Sequence, residues 1–382
     1  MKKKYYFMDV LRVLAMLLIV YYHLFIELFV VGAREVNAFS NFYENKNAHL
    51  ATIGVGIFFM LSGFGLMLSS QNREFRAGAF YKHRLIKILV PFYLVNILCF
   101  LSILGIKLCL GRDLSVLFPK RITILRPFSM VLGMGQYFLL MMGETSYVRY
   151  FGDTQLMYGI GDWFIGCLIL MYIVFPLLRK ALLKNRWITL CGTTLYFVLV
   201  LVFYDKFSFF DSTSGTSYCN FFVKIYDFIL GMFLATVVKE IPRWVVWPSL
   251  AVILAYAFSP VEFPLFFDLS IVLLNTAILL TFLCMEPVFS KAKKPMKVIS
   301  FLGSCTYYFF LVHHVTIHLI SEKWVERCNT KGVPLSDKEI PLLFLIEMVT
   351  CVVFTCIVAF LMKIPSKLRN KKAEAVKEEK EG

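Results

Sequence analysis

Charge is scarce in this sequence. Only 17% of its 382 residues are charged, against 59% hydrophobic, and mean hydropathy is +0.72. That balance excludes an ordinary soluble domain and describes an all-α polytopic membrane protein, because a helix of about 20 apolar residues is what crosses a bilayer. No small-residue cleavage site follows the first apolar run, which is too long for a signal peptide, so it is expected to stay as an uncleaved first helix. No CxxC pairing occurs among the ten cysteines. Most of them, Cys167 and Cys284 included, lie inside apolar runs and act as small hydrophobes. Cys219 and Cys328 fall in or near expected outer loops, where a disulfide is compatible with the spacing but not established by it. Neither a tandem repeat nor a second, soluble domain is visible. The formal net charge of +15 resides in short loops between apolar runs, which is a topology signal, and no nucleic-acid partner is expected.

Ten apolar segments are present, at roughly 7–31, 50–70, 85–108, 159–178, 187–204, 219–239, 244–258, 265–285, 299–320 and 341–362. They predict a single bundle of about ten transmembrane helices. With the N-terminus inside, the inner segments collect most of the basic residues, such as Arg179, Lys180, Lys184 and Arg186, or Lys291, Lys293, Lys294 and Lys297. The outer segments hold fewer, over longer loops. Both termini are therefore expected in the cytoplasm. Residues 1–365 form the expected transmembrane domain. Residues 366–382, charged and without apolar periodicity, form an expected disordered cytoplasmic tail. The segment 109–158 has an apolar middle too short to span easily and is assigned to the outer side.

Several ionisable residues interrupt the apolar runs. Asp9, Arg12 and His23 lie on the first segment, MDVLRVLAMLLIVYYHLF. Arg12 and His23 are eleven residues apart, which returns to within about 20° of the same helix face and separates them by roughly 16 Å along the axis. Asp9 is three residues before Arg12 and can pair with it. Such side chains cost roughly 2.5–3.5 kcal/mol each to insert and usually face a cavity or a partner. Periodicity leaves two readings open: snorkelling to the inner interface, or a polar cavity. Lys82, Arg84 and Lys87 cluster at the inner end of the third segment, as topology anchors or as a phosphate clamp. The ninth segment carries His313, His314 and His318. The pair His314 and His318 shares a face, but no third ligand lies on that helix, so no metal site is expected. His23 and His313 stand at similar depths, about 24 and 21 Å from the inner face. The small residues Gly54, Gly56, Ser62, Gly63 and Gly65 let backbones approach closely, and the glycines among them are read as packing residues. Trp163 is read as an outer-interface anchor.

Taken in order, these motifs resemble those of acyltransferase family 3, integral membrane proteins that O-acylate carbohydrates and related acceptors. Asp9, Arg12 and His23 match its D-x-x-R helix with histidine after ten intervening residues. Phe58, Phe59, Ser62, Gly63 and Phe64 match an F-F-x-x-S-G-F element. Arg84, Lys87 and Pro91 match a basic group before proline. Trp163, Phe164, Tyr172, Pro176, Leu177 and Leu178 match a W-F helix, and Thr306, Tyr307, Leu311 and His313 a late S/T-Y…L-x-H element. Leu168 and Ile169 stand where some members carry glutamates, and no esterase-like domain is appended, which leaves the acceptor open.

The resemblance implies a membrane O-acyltransferase that moves an acyl group, acetyl foremost, from cytoplasmic acyl-CoA to a hydroxyl of a cell-surface or lipid-linked carbohydrate. It implies His23, Arg12 and Asp9 as the catalytic group, with Arg84, Lys87 and Lys82 binding the donor. His313, Trp163, Ser62 and Tyr307 would hold or support the acceptor. No permanently bound cofactor and no metal are expected; the partners are acyl-CoA, a sugar acceptor and the bilayer, and a homo-oligomer is compatible with the sequence. The expected location is a bacterial cytoplasmic membrane. A transporter or flippase for glycans or small solutes is the alternative, since it too would turn charges toward a cavity.

Overall fold

Apolar residues face both inward and outward in this chain. The computed structural model describes residues 4–30, 49–109, 111, 162–204, 220–258, 267–332, 335–336 and 338–381. Among them every regular element is helical. The helices are α1 Tyr6–Val30, α2 Leu50–Ser70, α3 Ala77–Cys109, α4 Asp162–Lys184, α5 Arg186–Val202, α6 Phe221–Val237, α7 Val246–Phe258, α8 Phe267–Cys284, α9 Glu286–Lys291, α10 Lys293–Thr330 and α11 Ile340–Glu381. Each of the ten apolar segments falls on a helix in its described part, and among the described residues seven helices are long and apolar enough to cross a membrane. The protein is an all-α polytopic membrane protein. Its exposed large side chains include Ile86, Val90 and Ile97 on α3 and Leu345, Val349 and Phe360 on α11. Such rows suit hydrocarbon rather than water.

The centre of the bundle is α2 against α6, both buried along most of their length. Two glycines set their spacing. A Cβ on Gly63 would lie 2.1 Å from the Phe228 carbonyl oxygen, and one on Gly231 would lie 2.0 Å from that of Met60. Backbones this close exclude any side chain at either position, and small residues at crossings are how spanning helices gain contact without a hydrophobic drive. The packing role read for the α2 glycines thus has a counterpart on α6. On the other side, α1 packs against α2 and α10.

Helix ends are tied by polar groups. Asn185 accepts from the Trp187 and Ile188 amides and caps α5; Asn220 accepts from the Phe222 amide and caps α6. Glu286 Oε2 accepts from the Phe7 amide at 2.8 Å, placing a carboxylate on the positive end of α1. Arg186 makes a two-pronged contact with Glu240, 2.8 and 2.7 Å, joining the start of α5 to the end of α6.

Three expectations differ from the structure. The backbone of α11 continues to Glu381, over the tail whose composition predicts disorder; its Lys, Ala and Glu residues are strong helix formers. Trp163 is no lipid-facing anchor: it is buried, 6.2 Å from the Phe59 ring. The exposed tryptophans are Trp187, Trp244 and Trp247, at the starts of α5 and α7 next to Arg186 and Arg243, where an interfacial belt belongs. Cys328 is part of α10 rather than a loop, and Cys219 and most of segment 109–158 lie outside the described residues.

Candidate functional site

On α1, Asp9 accepts from Arg12 Nη1 at 2.9 Å, and Lys4 Nζ is 3.4 Å from its other oxygen. The helical spacing of three makes the first contact. Asp9 is nearly buried because α10 comes close: a Cβ on Gly303 would lie 3.0 Å from the Asp9 Cα. Two cations around one carboxylate leave positive charge to spare. Arg12 spends it on a cavity.

That cavity has a volume of about 540 Å³ and is walled by α1, α2, α3, α4 and α10. Arg12, Arg84 and Lys87 line it, with Ser62, Tyr172 and Tyr307. Among the described residues no aspartate or glutamate lines it. Arg84 and Lys87, three residues apart on α3, reach it from one face. The Arg84 guanidinium is 5.9 Å from the centres of both the Phe80 and Tyr172 rings, a cation–π arrangement that holds it over apolar surface. Its Nε is buried and has no hydrogen-bond partner among the described residues. The Ser62 and Tyr172 hydroxyls are 2.9 Å apart. The Tyr307 hydroxyl donates to the Ile88 carbonyl at 2.8 Å, fastening α10 to α3 across the cavity wall. Five of the expected residues, on four separate helices, therefore meet at one place. Lys82 does not join them. It is exposed and absent from the lining, because two residues along a helix turn it about 200° from Arg84.

Deeper along α1 is a second group. The ring centres of His23 and His313 are 5.2 Å apart, those of His23 and His314 4.0 Å, and those of His313 and His314 4.4 Å. One nitrogen from each ring lies within 4.8 Å of the others. His313 Nδ1 is 2.6 Å from the Phe310 carbonyl oxygen. A carbonyl only accepts, so Nδ1 carries the hydrogen and Nε2 presents a lone pair. That Nε2 is buried and has no hydrogen-bond partner among the described residues. The similar depths read for His23 and His313 do bring the two rings together. The pairing of His314 with His318 is not what the helices make of that spacing. His314 meets His23, while His318 Nδ1 is 2.6 Å from Glu27 Oε1. Next to it, Ser321 donates to Glu347 at 2.8 Å.

Glu27 and Glu347 are not among the residues that the sequence motifs single out. A usable signal exists: both are carboxylates inside apolar segments, and Glu27 is one turn beyond His23. The third imidazole is hidden for another reason. A search for ligands along one helix cannot see His23 beside His313, because that proximity exists only after α1 packs on α10.

The two groups do not share one open space. Phe310 lines the cavity, and its ring is 5.3 Å from that of His313. Phe164 also lines it, 4.7 Å from Phe310, and stacks on Phe59 at 4.9 Å. A pair of phenyl rings thus stands between the cations and the imidazoles. Trp163 packs on this wall, its ring 6.5 Å from that of Phe164 and 6.2 Å from that of Phe59.

The family model described as an acyltransferase domain matches residues 5–364, nearly the whole chain. No curated protein and no solved structure matches it.

Proposed function

The chain belongs to acyltransferase family 3, and from that premise we propose that it moves a small acyl group, acetyl foremost, from cytoplasmic acyl-CoA to a carbohydrate hydroxyl. The observation that carries the donor assignment is the cavity with three cations and no carboxylate among the described residues of its wall. Acyl-CoA brings phosphates, and guanidinium and ammonium groups that face a cavity are what phosphates require. Arg12, Arg84 and Lys87 hold the phosphates, and Asp9 fixes Arg12. The acyl-bearing arm extends from this clamp along α1 toward His23, a distance of roughly 16 Å along the helix axis. The Phe164 and Phe310 rings turn aside to admit the thioester.

His23 removes the proton of the acceptor hydroxyl, and the oxygen attacks the thioester carbonyl. The carbon–sulfur bond then breaks, and the imidazolium returns its proton to the departing thiolate. The products are an ester and free CoA thiol, so no proton is gained or lost. His313 orients the acceptor or steadies the developing charge. Ser62 and Tyr307 shape the wall of the donor cavity. The acceptor is a cell-surface or lipid-linked carbohydrate reached from the outer side of a bacterial cytoplasmic membrane, with both termini inside, as the loop charges favour.

Acyl transfer in membranes carrying His23→Ala is the test, with protein level measured in parallel. The expected loss is on the order of 10²–10⁴-fold, the range for a general base, with acyl-CoA binding preserved. Arg12→Ala is expected to lose both binding and turnover. Full activity in both variants sinks the mechanism. Binding of radiolabelled acyl-CoA to the purified protein separates this reading from that of a transporter or flippase, which has no use for the donor.

A further inference from the structure

The geometry points to a metal site: we propose that His23, His313 and His314 bind one divalent transition-metal ion of the zinc or cobalt kind, and that the bound ion holds the transferase silent. The second half rests on His23 being the base; the first half does not.

Three imidazoles from two helices converge, with one nitrogen from each within 4.8 Å of the others. In a tetrahedral ion with nitrogen ligands at about 2.0–2.1 Å, those nitrogens stand roughly 3.4 Å apart. The closure needed is at most about 1.4 Å on that geometry. His313 is already prepared as a ligand. Its Nδ1–H is committed to the Phe310 carbonyl at 2.6 Å, which fixes the tautomer and leaves Nε2 as the nitrogen with a lone pair to give; metal-bound histidines are commonly held this way. That Nε2 is buried without a partner among the described residues, and a buried acceptor left open is costly and uncommon. A metal ion satisfies it.

The donor set selects the class of ion. Three neutral nitrogens suit zinc, cobalt, nickel or copper and not magnesium or calcium, which take oxygen. One turn beyond His314 on α10, His318 pairs with Glu27. His23 is half-buried, which leaves a side for the ion to arrive by. Three protein ligands keep a fourth position open, as in sites that exchange water or substrate. While the ion is held, the His23 lone pair is engaged in the metal bond. It cannot accept the acceptor's proton, and transfer stops without any displacement of acyl-CoA from the cavity below.

The test uses the full chain purified in detergent without a polyhistidine tag. Titration with Co²⁺ is expected to give about one equivalent per chain, with the intense visible bands of a four-coordinate ion, bleached by added Zn²⁺. His313→Gln and His314→Gln, each checked for an unchanged melting temperature, are expected to lose those bands. Zn²⁺ is expected to suppress acyl transfer at least tenfold in the unmodified protein, reversibly with a chelator, and to leave radiolabelled acyl-CoA bound. Absence of the cobalt bands in folded protein, or bands of equal strength in both variants, overturns the site. If that happens while His23→Ala is inactive, the base stands and only the metal fails. Cobalt binding with undiminished transfer keeps the site and removes both the silencing and the base.

Discussion

Two regions of this bundle handle charge in opposite ways. In the first, Arg12, Arg84 and Lys87 surround a cavity whose described wall carries no carboxylate. In the second, on α6 and α8, Lys224 is almost fully buried and sits 3.3 Å from Asp268, also buried. Asp227, one turn further along α6, is fully buried beside Asn275 and the same lysine. Both regions place ionisable groups at membrane-helix positions where they are expensive. The second closes its charges on one another in dry packing, one lysine beside two carboxylates, and this holds α6 to α8. The first turns its cations to open volume: Arg12 shares Asp9 with Lys4, and no carboxylate stands in the described cavity wall beside Arg84 and Lys87. The mark of a candidate site here is charge that faces a cavity, and the number of charged residues says little.

That contrast can be broken by substitution. The largest effect is expected at Lys224. Removing one partner of a buried ion pair leaves the other uncompensated, which costs roughly 3–5 kcal/mol. Lys224→Met is therefore expected to lower the melting temperature and the yield of folded protein, with the apparent KM for acyl-CoA unchanged in what survives. A raised KM at normal stability would place Lys224 with the ligand-binding cations and end the distinction. Arg84→Ala is expected to do the reverse. Loss of one charged contact to phosphate is worth about 1.5–3 kcal/mol, so KM should rise on the order of 10–100-fold while thermal melting moves little. Arg84→Lys is expected to recover only part of this, since the planar fork is lost. The smallest effect is expected at Lys82. Two residues from Arg84 and pointing elsewhere, its alanine variant should change KM less than about twofold, within the range of an exposed charge. A KM change as large as that of Arg84→Ala would put Lys82 among the donor-binding cations.

The sequence is legible where a feature depends on one helix at a time. The ten apolar segments are such features, and each falls on a helix. So is the Asp9–Arg12 pair, which needs only a spacing of three. So is the shared face of Arg84 and Lys87. Trp163 is misleading for the complementary reason. A tryptophan at a segment end reads as an anchor, but whether it meets lipid or a neighbour depends on how α4 leans on α2. Its burial against Phe59 follows from that packing. The ordered motifs pick out the cavity residues along the chain, yet nothing in them says that Phe164 and Phe310 close the cavity's far end.

By itself, then, the sequence determined the class of protein, the helices, and the local pairs within them, because hydropathy and a 3.6-residue period act over short distances along the chain. Only the tertiary structure decided which faces meet. It brought Arg12 to Arg84 and Lys87, His23 to His313 and His314, and Glu27 to His318. The last of these contacts joins residues 291 positions apart, and no period in a sequence encodes it. Such contacts follow from how closely α2 approaches α6 at Gly63 and Gly231, and α1 approaches α10 at Gly303. In a membrane, where apolar surface gains nothing from leaving lipid, that closeness of backbone packing is what selects one arrangement of helices over another.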